Sequence, residues 1–230
     1  MNKKIYLSGG GNEVQAFALD DIYFRYIPKN GSFLYIPIAL RENKLYSAAH
    51  SWMNKVIKLH HRADIQFETL DNPSKYQLAT LKEFTGIYIG GGNTWNLIRE
   101  LKESGFTNRL IQYLRAGGQV YGGSAGAIIM GKRIDTQDDE NTINSNYVSG
   151  INLLDDYSVA CHFKDQQGDR FKKWSENHSL PIICLPEETG LIIENDIALC
   201  VGTKPCTIYL ADGTRKDIDP EKSFNLKNIS

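Results

Sequence analysis

Gln119-Val120-Tyr121-Gly122-Gly123-Ser124-Ala125-Gly126-Ala127-Ile128-Ile129-Met130 is the stretch that decides how this chain is read. Residues 119–121 read as a short strand, 122–126 as a glycine-rich turn and 125–130 as a helix of small residues. Gly122 to Gly126 fits G-x-S-x-G, and a strand before it with a helix after it is the context of a nucleophile elbow. The glycines allow a sharp turn and clear space around Ser124. Its hydroxyl then stands at the end of a sheet beside a helix N-terminus, where the N–H of Ala125 can help to stabilise an oxyanion. The plainer reading is a βα turn that holds a phosphate or no ligand.

Working outward, short β-rich runs alternate with helical ones. Strands are expected at 4–7, 33–38, 65–68 and 86–89, and helices at 13–26, 44–59, 95–101 and 108–114. Residues 45, 49, 52, 56 and 59 are apolar or small at the spacing of one helix face. This β-α-β-α order implies a parallel sheet covered on both faces, with ligands bound beyond the carboxyl ends of its strands. Three glycine-rich turns fall there: 9–11, 90–92 and 122–126. Beyond them, 133–146 reads as a polar loop, 158–163 as a strand, 166–178 as a charged surface helix and 180–185 as a buried strand. Strands at 191–194, 197–201, 206–210 and 215–218 follow, with a hairpin signal in Asp212-Gly213. Repeats and linkers are missing, so residues 1–230 are expected to form a single domain.

Composition narrows the function. The chain has 230 residues, 41% of them hydrophobic, which suits a globular core. With 26 basic and 27 acidic residues the net charge is -1, no footprint for nucleic acid or an anionic membrane. No apolar run is long enough to span a bilayer, and the apolar stretch behind Lys3-Lys4 is only Ile5-Tyr6-Leu7, too short for a signal peptide. A cytoplasmic location is expected. Cys161, Cys184, Cys200 and Cys206 form no C-x-x-C pair and read as reduced core thiols rather than zinc ligands.

A serine nucleophile needs a base. His50, His60 and His61 fall in or just after a helical stretch and read as surface residues, while His178 ends a charged helix. His162 closes the apolar run Val159-Ala160-Cys161 and emerges at a strand end, which makes it the best base. The base needs an orienting acceptor. Glu187 and Glu188 follow a buried strand and Pro186; Asp138, Asp139, Asp165 and Asp169 are rivals, with Asp155 a further one in an esterase topology. Gly90-Gly91-Gly92-Asn93-Thr94 follows one strand and precedes a helix, so it offers either a second oxyanion donor or merely a tight turn capped by Asn93 or Thr94.

Together these residues resemble the peptidase E (S51) family of serine peptidases, which also holds cyanophycinases. The matching stretches are 89–94, 122–127, Cys161-His162-Phe163 and Leu185-Pro186-Glu187, and the order of glycine turn, serine, histidine and acid is kept. The resemblance implies a flavodoxin-like three-layer α/β sandwich with a mostly parallel central sheet and a C-terminal β-hairpin. It implies Ser124 as nucleophile, His162 as base, Glu187 as its orienting acid, and Gly92 and Ala125 as oxyanion donors. Substrate contacts are implied for Asn93, for Asp139 near the substrate's amino end, and for Arg170 as the cation behind a preference for dipeptides with N-terminal aspartate. The implied partner is a short peptide, with no metal or organic cofactor and a monomer or homodimer as the assembly. A cyanophycinase-like enzyme, another serine hydrolase and a catalytically silent ligand-binding homologue are the rival readings.

Overall fold

In a computed structural model, which describes residues 3–141, 143 and 148–229, the first half of the chain builds a parallel sheet. β1 (Lys4–Ser8), β2 (Ser32–Ile36), β3 (Gln66–Thr69), β4 (Gly86–Ile89) and β5 (Gln119–Gly123) lie in the order β1-β5-β4-β2-β3. Their sequences alternate aliphatic and aromatic residues, so the two faces differ. Ile5, Leu7, Leu34, Ile36, Ile87, Ile89 and Val120 share one apolar cluster with α3 (Leu78–Leu81), α4 (Thr94–Glu103), α5 (Phe106–Arg115) and α6 (Ala125–Ile128). Tyr6, Phe33, Tyr35, Tyr88 and Tyr121 face the other way, against α1 (Phe17–Tyr26) and α2 (Ala49–Leu59). Strand register sets Tyr6 beside Tyr121, Tyr121 beside Tyr88 and Tyr88 beside Tyr35. A row of four tyrosines therefore crosses the sheet, with the Tyr88 and Tyr121 rings stacked 4.1 Å apart.

Further along, β6 (Ser158–Ala160) and β7 (Ile182–Cys184) leave this sheet. β8 (Thr189–Glu194) returns to it antiparallel beside β1, and β9 (Ile197–Gly202) pairs antiparallel with β8. β10 (Cys206–Tyr209) and β11 (Arg215–Ile218) form the expected hairpin, and β12 (Ser223–Asn225) adds an edge next to β9. The result is an eight-stranded sheet and a second, four-stranded one in the order β11-β10-β7-β6. α7 (Gly168–His178) covers the second sheet, with Phe171 packed among Ala160, Ile182, Cys184 and Tyr209. All four cysteines are free and buried. Among the described residues, no helix is long and apolar enough to cross a membrane.

Several expected boundaries shift for local reasons. The helix expected from residue 13 begins at Phe17, because the Asn12 side chain accepts the N–H groups of Val14 and Gln15 and holds a turn. The strand expected over 33–38 stops at Ile36, since Pro37 opens a 3₁₀ turn over Ile38–Leu40. The helix expected over 44–59 starts at Ala49 behind another 3₁₀ turn, and the one expected over 125–130 ends at Ile128. The strand expected over 158–163 ends at Ala160, and the one over 180–185 shortens to Ile182–Cys184. Sequence reading missed α3 and β12. His60 corrects an expectation too: it is buried, stacked on Phe17 with ring centroids 4.4 Å apart. The polar stretch from 133 is anchored where it is described. Thr136 donates to the carbonyl of Val159 at 2.5 Å, and the Trp174 indole donates to that of Asp135 at 3.2 Å. The reading of residues 142 and 144–146 as loop lies outside the described residues.

Candidate active site

β5 delivers Ser124 directly into α6. Side chains at Gly122 and Gly126 would collide with backbone: a Cβ on Gly122 would stand 2.5 Å from the Gly126 carbonyl oxygen, and one on Gly126 2.4 Å from that of Ile89. These two glycines let the helix sit tightly on the strand ends. Ser124 takes φ 49°, ψ −112°, a conformation sparsely populated by non-glycine residues. It is held there by its own backbone. Its N–H donates to Ser8 O at 3.1 Å, and its carbonyl accepts from Ala127 and Ile128 at 2.8 and 3.0 Å.

His162 lies two residues past β6, also at positive φ (54°), with its N–H bound to Gly9 O at 2.9 Å. That turn aims the imidazole across the end of β1 at the serine. Ser124 Oγ and His162 Nε2 are 2.8 Å apart, and His162 Nδ1 and Glu187 Oε1 are 2.9 Å apart. The other Glu187 oxygen accepts from Gln15 Nε2 at 2.6 Å. Gln15 is itself fixed, accepting the Asn12 N–H at 3.0 Å. The hydrogen bond from His162 holds the Glu187 carboxyl below its usual value, with the Gln15 bond adding to it against partial burial. The line is open to solvent, the His162 and Glu187 side chains being 42% and 36% exposed.

The rival acids are engaged elsewhere or face solvent. Glu188 pairs with Lys204 at 3.0 Å and Asp165 with Arg215 at 2.9 Å. Asp138 pairs with Arg170 at 2.6 Å. Asp139 accepts the Thr94 N–H at 2.9 Å and its hydroxyl at 2.5 Å, at the N-terminus of α4. Asp155 and Asp169 are exposed.

Ser124 and His162 open onto a pocket of about 420 Å³. The turns 10–12 and 90–92 form its rim, α1 and the segment running into α2 wall it, and Tyr35, Tyr88 and Tyr121 line it from the sheet. Gly10 and Gly91 both press on the serine: a Cβ on either would stand 3.1 Å from Ser124 Cβ, and one on Gly91 would lie 3.6 Å from Ser124 Oγ. Asn93, Asp139 and Arg170 are not among the residues lining the pocket. The Asn93 side-chain oxygen caps α4 by accepting the Asn96 N–H at 2.9 Å, and its side-chain amide donates to Glu140 O at 2.8 Å. Arg170 gives both terminal nitrogens to Asp138.

Comparison with known proteins adds a name to this geometry. The family model described as "Peptidase family S51" matches residues 5–201. The chain belongs to peptidase family S51. It is similar to a Drosophila melanogaster protein named "Probable alpha-aspartyl dipeptidase", 25% identical over 81% of this chain and 79% of that one. It is likewise similar to peptidase E of Streptomyces coelicolor, 22% identical over 80% and 76%. Among solved structures, a peptidase from an acI-B1 actinobacterium superposes with a TM-score of 0.70 at 19% identity, covering 98% of this chain and 97% of that one. That likeness bears on the fold. The chain is thus a serine-type peptidase, a hydrolase, on a mixed α/β fold with a large, mostly parallel sheet.

Two residues of this candidate site escaped the sequence reading. Gln15 carries no signal of its own, because nothing near it in sequence announces a partner at residue 187. Asp20 did carry one. It sits on the face of α1 that buries Leu19, Tyr23 and Phe24, and a lone acid on an apolar helix face is unusual enough to mark.

Proposed function

We propose that this S51 peptidase hydrolyses short peptides by acyl transfer, with Ser124 as nucleophile, His162 as general base and Glu187 as the acid that orients it. The observation that carries this reading is the continuous line of contacts from Ser124 Oγ to His162 at 2.8 Å and from His162 to Glu187 at 2.9 Å. Ser124 attacks the scissile carbonyl as His162 Nε2 takes its proton. Glu187 holds Nδ1–H, fixing the tautomer and favouring the imidazolium that forms. The oxyanion develops toward the N–H of Ala125, which opens α6, and toward the glycine turn that includes Gly91 and Gly92; one such donor accounts for about 10²–10³ in kcat in other serine enzymes. His162 then protonates the leaving amine, and water releases the acyl group.

For the residue N-terminal to the cut, family resemblance and the name of the Drosophila relative support aspartate. On this chain the matching cation is Arg170, which would have to exchange its pairing with exposed Asp138 for the substrate carboxylate. Release of free amino acid from Asp-Leu, Glu-Leu, Ala-Leu, Leu-Leu and β-Asp-Arg, wild type against Ser124→Ala, tests the chemistry. Turnover that vanishes in the variant supports it; turnover that persists refutes Ser124 as nucleophile. Arg170→Ala then tests the aspartate reading, which requires KM to rise for Asp-Leu far more than for Leu-Leu.

A further inference from the structure

The cation proposed for the substrate's aspartate is not in the pocket beside Ser124. Arg170 belongs to α7, which covers the second sheet, and it does not line the pocket. The pocket lies instead over the tyrosine face of the main sheet, walled by α1 and the segment that runs into α2. His162 joins that wall. Its Nε2 faces the rim at Gly10, where a Cβ would stand 2.8 Å away. In acyl transfer this nitrogen gives the leaving amine its proton, so the leaving residue starts beside this rim.

We propose that this pocket receives the residue on the carboxyl side of the cut, and that it selects a bulky apolar side chain there, phenylalanine or leucine. The proposal rests on the peptidase reading and names the leaving half of its substrate. Charge is the first argument. Among the described lining residues there is no Lys or Arg, so a carboxylate side chain finds no partner. Asp20, at the floor, is 1% exposed and accepts from the Tyr88 hydroxyl, so it offers the cavity almost no surface. A charged side chain would leave water here without compensation.

Surface and size are the second and third. Leu40, Leu45, Ala48 and Trp52 form an apolar wall. The Trp52 ring lies 6.2 Å from that of Tyr35, tilted against it, which makes an aromatic corner. Leu45 is 60% exposed, so an apolar side chain laid against it takes two apolar surfaces out of water at once. The volume is about 420 Å³, against roughly 150 Å³ for a cavity that holds benzene. A phenyl ring therefore fits with room for the backbone that carries it. Gly11 and Asn12 on the rim are exposed, so the free α-carboxylate of the leaving residue stays in water.

The test varies the leaving residue alone. kcat/KM is measured on Asp-Ala, Asp-Leu, Asp-Phe, Asp-Lys and Glu-Ala, for the wild type and for Ala48→Trp, whose indole fills the pocket from an exposed position. Asp-Phe and Asp-Leu are expected to exceed Asp-Ala by at least about tenfold, with Asp-Lys no better than Asp-Ala. Ala48→Trp is expected to lower Asp-Phe about tenfold more than Asp-Ala, and to leave the ratio of Asp-Ala to Glu-Ala as it was. Leu45→Ser, which removes exposed apolar wall, is expected to shift the preference the same way but less. Equal rates on Asp-Ala and Asp-Phe overturn the proposal. So does a change in the Asp-Ala to Glu-Ala ratio alone, which would put the acyl residue in the pocket. Calorimetric titration of Ser124→Ala protein with Asp-Ala and Asp-Phe separates the pocket from the chemistry. Tighter binding of Asp-Phe, removed by Ala48→Trp, without cleavage of any peptide by the wild type would sink the peptidase mechanism and leave the pocket assignment standing. Cleavage of Asp-X peptides regardless of X would do the reverse.

Discussion

Gly10 takes φ +95° and lies against the imidazole of His162. A Cβ at that position would stand 2.5 Å from His162 Cε1, 2.8 Å from Nε2 and 3.1 Å from Ser124 Cβ. Non-bonded carbon atoms settle at about 3.5–4.0 Å, so in Gly10→Ala the ring must retreat by roughly 1 Å. Its contact with Ser124 Oγ is 2.8 Å now, and that retreat takes it out of hydrogen-bonding range. A misplacement of about 1 Å in a catalytic group lowers turnover by about 10²-fold. The positive φ adds a backbone cost of about 1–2 kcal/mol for alanine. Gly117→Ala isolates that second effect: its φ is +91°, and nothing lies within 4 Å of the added methyl. The expected outcome in urea denaturation is a similar loss for both variants, because the part-exposed His162 ring can swing outward rather than strain the core. In peptide hydrolysis only Gly10→Ala is expected to lose kcat. Equal kcat in the two variants would refute the idea that Gly10 keeps room for the Ser124–His162 contact.

Other outcomes follow from the same geometry. Glu187 has its folded pKa lowered by His162, so its contribution to stability is complete above the usual carboxylate range and is lost as pH falls through the folded value. Glu187→Gln is therefore expected to flatten the acid limb of Tm against pH and to lower kcat; an unchanged acid limb would count against it. Gln15→Leu leaves Glu187 with one ordering bond fewer. It is expected to lower kcat about tenfold with little change in KM and to raise the Glu187 pKa, read by NMR titration. Asp139→Ala removes the acceptor of two Thr94 bonds at the start of α4, which should cost about 1 kcal/mol in urea unfolding. Arg170→Ala breaks a pair whose acid is 84% exposed, so stability should change by no more than about 1 kcal/mol.

Much of this protein follows from residues that are neighbours in sequence. Alternating Ile-Tyr-Leu, Ile-Tyr-Ile and Val-Tyr-Gly runs, each ending in glycines, determine parallel strands with their turns at one edge. Gly122 to Gly126 determines where a serine is exposed, since strand, turn and helix there are all local choices. His162 stood out for the same reason, at the end of a short apolar run. Tertiary structure decided the rest. The acid beside His162 lies 25 residues away among several acids in polar loops, and only the return of β8 to the edge of β1 brings Glu187 to the ring. Gln15 meets Glu187 across 172 residues. Asp20 reaches the row of tyrosines because α1 packs on the aromatic face of the sheet. Periodicity and turn chemistry act over a few residues and are written in composition. Contacts between loops from distant segments depend on strand order and register, which short-range preferences do not encode.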